Sequence, residues 1–129
     1  MAASDPAANW TYSTNTWRQA NNNAANKIDF VRGVSEDMVS ASLSVPVVSS
    51  TSTYRITAVG IGEDTTTTVS GRYSQEVSNN QGMRVIHAGY DGMPSAGRHY
   101  LSWNEYGGGA DIQTWSSNGY FGIFGQLLG

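Results

Sequence analysis

Residues 39–45 read VSASLSV, an alternation of apolar residues with serines. Successive side chains of a β-strand point to opposite faces, so the apolar residues share one face and the serines share the other. A strand with one apolar and one polar face is typical of an antiparallel sheet that covers a core on one side. This stretch therefore predicts a β-sheet protein.

Further strand patterns lie on both sides of this stretch, separated by turn residues, and no segment keeps a helical period. They cover residues 27–31, 54–61, 83–88, 99–106 and 112–115, and the β-branched run at 65–69 also favours extended structure. We count about eight strands, a number typical of sandwiches and barrels. The predicted fold is all-β: an antiparallel, jelly-roll-like β-sandwich.

The C-terminal segment, residues 120–128, is apolar on both faces. A strand of this kind is usually buried on both sides. A two-layer sandwich covers one face only, so the other face requires a partner, such as a second copy of the chain. The alternative is that a glycine-rich terminus crosses a crowded core. On the first interpretation, the candidate interface residues are Tyr120, Phe124 and Leu128.

The first 26 residues differ from the rest, because they are polar, rich in asparagine and contain three large aromatic residues. We interpret residues 1–26 as an extended N-terminal arm and residues 27–129 as the β-sandwich domain. Large aromatic side chains are usually packed against other protein surface and are seldom left exposed to water. The arm is therefore expected to pack on its own domain, on a neighbour or on a scaffold. Its candidate contact residues are Trp10, Tyr12, Trp17 and Arg18.

The composition argues against several classes of function. The 129 residues carry a net charge of −3, whereas a protein that binds nucleic acid normally has a basic patch. The absence of cysteine excludes disulfides, thiolate metal sites and cysteine catalysis. No apolar run approaches the roughly 20 residues of a membrane span, and the first residues lack a signal-peptide pattern. We expect neither nucleic-acid binding nor membrane insertion.

Charged residues make up only 13% of the chain. Soluble domains commonly protect exposed sheet edges with charges, and with lysine above all. Since Lys27 is the only lysine, we expect other chains to cover the edges or faces of this protein. A monomer with a surface rich in serine and threonine is the alternative.

No pattern of residues suggests catalysis or a cofactor. His99 and Glu105 share a strand face, but six residues at ~3.3 Å each place them about 20 Å apart, too far for an acid–base pair. Neither a nucleophile elbow nor a phosphate-binding loop is present. No metal-ligand spacing occurs among the acidic turn residues, which are Glu36, Asp37, Glu63, Asp64 and Asp91. We therefore expect no enzyme activity, no cofactor and no metal.

Two predicted loops carry residue types found in carbohydrate-binding sites, where aromatic rings stack on sugars and Asn or Asp side chains bind their hydroxyls. Tyr90 and Asp91 lie in the first, and Trp115 and Asn118 lie in or beside the second. They are candidate receptor-binding residues. The alternative is that Trp115 belongs to the core and that Asn118-Gly119 only turns the chain.

Two stretches resemble surface proteins of tailed-phage virions. The first is TWRQANNNAAN at 16–26, which continues into 28–34. The second is GRHYLSWNE at 97–105, followed by Thr114-Trp115 and the glycine-rich end at 119–129. The pattern is similar to the small trimeric β-sandwich heads of phage fibres and capsid decorations, whose architecture resembles the TNF/C1q-type jelly roll.

This resemblance implies a structural virion protein on the outer capsid surface. It would decorate and stabilise the capsid as a cement protein, bound to the major capsid protein through its arm and base. It would form a homotrimer, with Tyr120, Phe124 and Leu128 at the interface. The alternative implied by the same resemblance is the tip of a head or tail fibre, which binds a host-surface glycan or receptor.

Overall fold

The computed structural model describes residues 1–33, 37–50, 55–78 and 82–128. Within these ranges the chain forms eleven β-strands and a short 3₁₀ turn at Ala20–Asn22. The strands are β1 (Ala2–Ser4), β2 (Asn9–Thr11), β3 (Trp17–Gln19), β4 (Lys27–Arg32), β5 (Met38–Ser49), β6 (Arg55–Glu63), β7 (Ser74–Ser78), β8 (Arg84–Gly92), β9 (Gly97–Tyr106), β10 (Gln113–Ser116) and β11 (Gly122–Leu128).

All the strand pairs are antiparallel, and they form two sheets that enclose one core. Sheet A contains β1, β2, β5, β8, β10 and β11, and sheet B contains β3, β4, β6, β7 and β9. The predicted all-β antiparallel sandwich is confirmed. The serine alternation lies in β5, whose apolar residues Val39, Leu43 and Val45 are buried in the core.

Short strands lie end to end in three places. β10 and β11 share one edge of β5. On their far side, β1 pairs with β11 and β2 pairs with β10. In the other sheet, β3 and β4 share one edge of β9. The eleven described strands therefore form eight rows. The expected count of about eight strands is not confirmed, because turns divide three of the rows into two strands each.

The order of the rows is that of a jelly roll. Numbered along the chain, the rows run 1-8-3-6 across sheet A and 2-7-4-5 across sheet B. Row 1 pairs with row 8, row 2 with row 7, row 3 with row 6 and row 4 with row 5. The chain is thus one long hairpin wound around its own core, which is the winding of a jelly roll.

A separate N-terminal arm is not confirmed, because residues 1–26 supply strands to both sheets. β1 pairs with β11, β2 with β10 and β3 with β9. The side chain of Trp10 enters the core, where its ring meets Trp103 edge-on at a centroid distance of 5.6 Å. Of the three surfaces considered for this segment, it packs on its own domain.

The β-branched run at 65–69 forms a turn region between β6 and β7 and is not a strand. It folds over the outer face of sheet B, where Asn104 Nδ2 donates hydrogen bonds to the carbonyl oxygens of Thr65 and Thr68. Val69 lies so close to Gly60 that a Cβ at that position would be 2.3 Å from Val69 Cγ1. Contact with the sheet therefore outweighs the local strand preference of the run.

The described part of the chain contains no helix that is both long enough and apolar enough to cross a bilayer.

Candidate functional site

A buried carboxylate holds the N-terminal segment to sheet B. Glu105 on β9 has no exposed surface, and it accepts hydrogen bonds from Trp10 Nε1 at 2.7 Å, Arg18 Nε at 2.8 Å and the backbone N–H of Asn21 at 3.1 Å. Burial raises the pKa of Glu105, although these donors and the charge of Arg18 oppose that shift. The contact joins β2, β3 and β9.

A second buried carboxylate organises the chain between β1 and β4. Asp5 accepts hydrogen bonds from the side-chain amides of Asn21, Asn23 and Asn26 and from the backbone N–H of Ala7. Burial opposes its ionisation, but these hydrogen bonds together lower the pKa of Asp5. The asparagine-rich composition of the segment therefore serves internal hydrogen bonding.

The four candidate contact residues of the N-terminal segment differ in their exposure. Trp10 is 8% exposed and buried in the core, so it offers almost no surface to a neighbour. Tyr12 is half-buried, and its ring lies under the guanidinium of Arg18 at 3.8 Å. Arg18 pairs with Glu105, and Trp17 lies on the outer face of sheet B. Among these four residues, Trp17 is therefore the aromatic side chain that faces outward from a sheet.

The candidate interface residues of the C-terminal segment are all exposed: Tyr120 at 80%, Phe124 at 47% and Leu128 at 40%. Phe124 is paired with Ser42 and Leu128 with Met38, on the outer face of sheet A. The inward residue Ile123 is buried in the core. The strand is apolar on both faces, as the sequence indicates, and its outer face lies uncovered.

The candidate receptor residues do not form one site, and the prediction that Tyr90 and Asp91 lie in a loop is wrong, because both belong to strand β8. Tyr90 and Trp115 are buried in the core, where Tyr90 Oη donates to Glu63 at 2.5 Å and Trp115 Nε1 donates to the carbonyl of Tyr12 at 3.0 Å. Asp91 is exposed and accepts hydrogen bonds from Ser40 and Arg72.

Asn118 and Gly119 both have positive φ, at 53° and 74°, and Tyr120 N donates to the carbonyl of Ser117 at 3.0 Å. This is a type I′ turn, in which both central residues require positive φ. The structure thus agrees with the alternative interpretation of Trp115 as a core residue, and Asn118-Gly119 forms a local turn between β10 and β11, which run in the same direction along β5.

An ionic cluster that the sequence did not connect lies where β6 ends and β9 begins. Glu63, Asp64 and His99 bring their ligand atoms within 4.8 Å of one another. His99 Nδ1 lies 2.6 Å from Asp64 Oδ2, and Nε2 lies 2.9 Å from the carbonyl oxygen of Ser95. Both neighbours are acceptors, so the protonated imidazole can donate a hydrogen bond from each ring nitrogen.

The protonated state of His99 predicts a pH dependence of stability. Its hydrogen bond to Asp64 raises the pKa of His99 above 6.5. The stabilisation of the folded state by the His99–Asp64 pair is then fully present below about pH 6.5. It is lost as the pH rises through the pKa that His99 has in the folded protein. We expect the difference in thermal midpoint between the wild type and His99→Gln to shrink across that window. An NMR titration of His99 with a midpoint at or below the unfolded value would contradict this.

A cleft of about 580 Å³ lies on the outer face of sheet B. Its floor is one row of residues paired across four strands: Trp17 on β3, Tyr106 on β9, Ala58 on β6 and Gln75 on β7. Ala58 is the smallest member of this row and leaves the space between its neighbours. Tyr73 is the wall residue that precedes β7.

The aromatic rings of this cleft touch one another. Trp17 lies 5.2 Å from Tyr106 and 6.0 Å from Tyr73 between ring centroids. The remaining lining residues are Asn15, Arg55, Ile56 and Gly108. We name this set the aromatic cleft.

Sequence reasoning marked Trp17 as a contact residue but did not connect it with Tyr73 and Tyr106. The three residues lie in different segments, and their proximity depends on strand pairing and on the path of the 65–73 connection. The pairing of β3 with β9 places Trp17 beside Tyr106. No local sequence pattern specifies the register of that pairing.

No protein-family model matches this sequence. A search of curated proteins also finds no match.

Proposed function

We propose that this protein is a non-enzymatic structural component of a tailed-phage virion, which decorates and stabilises the outer surface of the capsid as a homotrimer. The observation that carries the proposal is the exposure of Phe124, Leu128 and Met38 together on the outer face of sheet A, with Tyr120 at the preceding turn. Apolar side chains gathered on one exposed face mark interaction sites.

The shape of this face suits contact with another copy of the chain. A depression of about 280 Å³ lies beside the exposed ring of Phe124 and is also lined by Ser40, Ser42 and Gln126. A protruding ring and an adjacent hollow can fit together in a head-to-tail contact, which closes into a ring under threefold symmetry. The serines of β5 supply hydroxyl groups for hydrogen bonds at its border.

The N-terminal segment supports a contact with the major capsid protein. Among the described strands, β1 and β2 form one edge of sheet A, and β3 and β4 form one edge of sheet B. Sheet edges carry backbone groups that can pair with another chain. We propose that these edges bind the shell, with Trp17 and Arg18 beside them, while Trp10 acts within the core.

The homotrimer is tested by Phe124→Arg. A charge in the apolar face should convert a trimer into a folded monomer, because an unpaired charge buried in an interface is strongly unfavourable. Light scattering coupled to size exclusion measures the mass, and circular dichroism checks the fold. The matched control is Val31→Arg on sheet B, where the residue is 67% exposed. A monomeric wild type, or a trimeric Phe124→Arg protein, contradicts the proposal.

The capsid role is tested by cryo-electron microscopy of the protein mixed with intact capsids and with capsids stripped of their decoration. We expect regular density at symmetry axes of the stripped capsids, with the edges formed by β1 to β4 against the shell. An absence of density on both kinds of capsid would overturn the cement role.

A second candidate function is the receptor-binding tip of a phage fibre. The aromatic cleft favours it, because the cleft opens on sheet B and remains accessible when the outer face of sheet A is covered by other copies. A stable trimer that binds host cells and no capsid is the outcome expected for this function.

A further inference from the structure

We propose that the aromatic cleft binds a short, uncharged saccharide, which stacks on Trp17, Tyr73 and Tyr106. This inference specifies the ligand class for the fibre-tip function and does not depend on the capsid role. The volume of about 580 Å³ lies within the usual range of small-molecule sites, roughly 300–1,000 Å³.

The aromatic residues are placed as a binding platform. Tyr73 is 55% exposed although its ring contacts Trp17, and Trp17 and Tyr106 are half-buried on the outer face of the sheet. A cluster that served stability alone would gain more by full burial. The C–H face of a sugar ring is apolar and matches the face of an aromatic ring, while its hydroxyl groups remain at the border.

The polar lining matches hydroxyl groups better than a charged ligand. Asn15 and Gln75 carry amides, which both donate and accept hydrogen bonds, as sugar hydroxyls do. The cation in the lining, Arg55, is paired with Asp111 at 2.7 Å. Its charge is thus compensated, and this favours an uncharged saccharide over a phosphate or carboxylate ligand.

The dimensions limit the ligand to a short chain. The floor crosses four strands at ~4.8 Å spacing, which gives a length of about 14 Å. This length suits two or three sugar rings. A proline-rich peptide is the competing occupant of an aromatic groove. The amides of Asn15 and Gln75 favour the sugar, since its hydroxyls both donate and accept hydrogen bonds, whereas a polyproline segment offers carbonyl acceptors alone.

The inference is tested with an array of neutral and acidic oligosaccharides and proline-rich peptides, followed by calorimetric titration of each hit. We expect a neutral oligosaccharide to bind, and Tyr73→Ala or Trp17→Ala to weaken its affinity about tenfold or more. Tyr73 is more than half exposed, so its variant should fold normally even if Trp17→Ala does not. Ala58→Gln, which fills the floor, should also abolish binding.

The matched control is Tyr100→Ala, a tyrosine on the same outer face but outside the cleft, where it packs under Lys27. Its affinity for the oligosaccharide should equal that of the wild type. The inference is overturned if no oligosaccharide binds, if only acidic sugars or peptides bind, or if Tyr73→Ala and Ala58→Gln bind as the wild type does. Binding by the cleft with no capsid contact would retain this inference and remove the cement role.

Discussion

A chain that lacks residues 1–12 is expected not to fold. The deletion removes β1 and β2, which cover the edge of sheet A at β11 and β10. It also withdraws Trp10 from the core, and loss of a buried tryptophan side chain alone costs about 3–5 kcal/mol. That amount approaches the whole stability of an ordinary domain, roughly 5–15 kcal/mol.

The polar contacts of the deleted residues increase this cost. Without Asp5, the buried amide of Asn26 loses one of its two acceptors and the partly buried amides of Asn21 and Asn23 lose theirs, and without Trp10 the buried Glu105 loses one donor. A buried polar group left unsatisfied costs about 1–3 kcal/mol. Together with the lost strand pairing, these losses are comparable to the whole stability of an ordinary domain.

Circular dichroism and an NMR amide spectrum of residues 13–129 measure the result. We expect a weak, non-cooperative thermal transition and poorly dispersed amide signals. The matched control changes the exposed residues Asn9 and Thr11 to alanine and keeps Trp10 and Asp5 in place. It should melt cooperatively, near the wild-type temperature. Cooperative melting of the truncated chain would show that residues 1–12 form a separable arm after all.

The second large effect is expected for Glu105→Ala. The change leaves Trp10 Nε1 and the backbone N–H of Asn21 without their acceptor and removes the partner of Arg18. One buried donor and one partly buried donor, at about 1–3 kcal/mol each, predict a loss of about 3 kcal/mol in the free energy of unfolding. Urea denaturation of the wild type and the variant measures the difference.

The matched control is Asp29→Ala. Asp29 is exposed and pairs with Lys27 at 3.6 Å and Arg98 at 3.3 Å, and exposed ion pairs contribute about 0–1 kcal/mol. We expect its denaturation midpoint to move little. If Glu105→Ala costs no more than Asp29→Ala, the buried carboxylate does not hold the N-terminal segment to sheet B.

Several features of the fold follow from short-range patterns alone. The alternation at 39–45 predicted a half-buried strand, and Val39, Leu43 and Val45 are indeed buried. The Asn118-Gly119 turn was identified because only a few residue types tolerate two successive positive φ angles. Each of these features depends on residues that are adjacent in the sequence, so each can be predicted from the sequence alone.

The role of the N-terminal segment was harder to predict. Its strands are three residues long, too short to show a period of two, so the segment resembled an arm. Three of its residues acquire their partners from segments far along the chain: Trp10 and Arg18 meet Glu105, and the carbonyl of Tyr12 meets Trp115. A Trp in a polar sequence therefore gave no local sign that it belonged to the core.

By itself, the sequence determined the all-β class, the main strands, the Asn-Gly turn and the apolar outer face of the last strand. These properties depend on side-chain alternation, backbone preference and composition, which act over a few residues. The tertiary structure alone decided the row order, the burial of Asp5 and Glu105 and the meeting of Trp17, Tyr73 and Tyr106. They arise from strand pairings across the whole chain, because a sheet joins distant residues through a register that no single strand encodes.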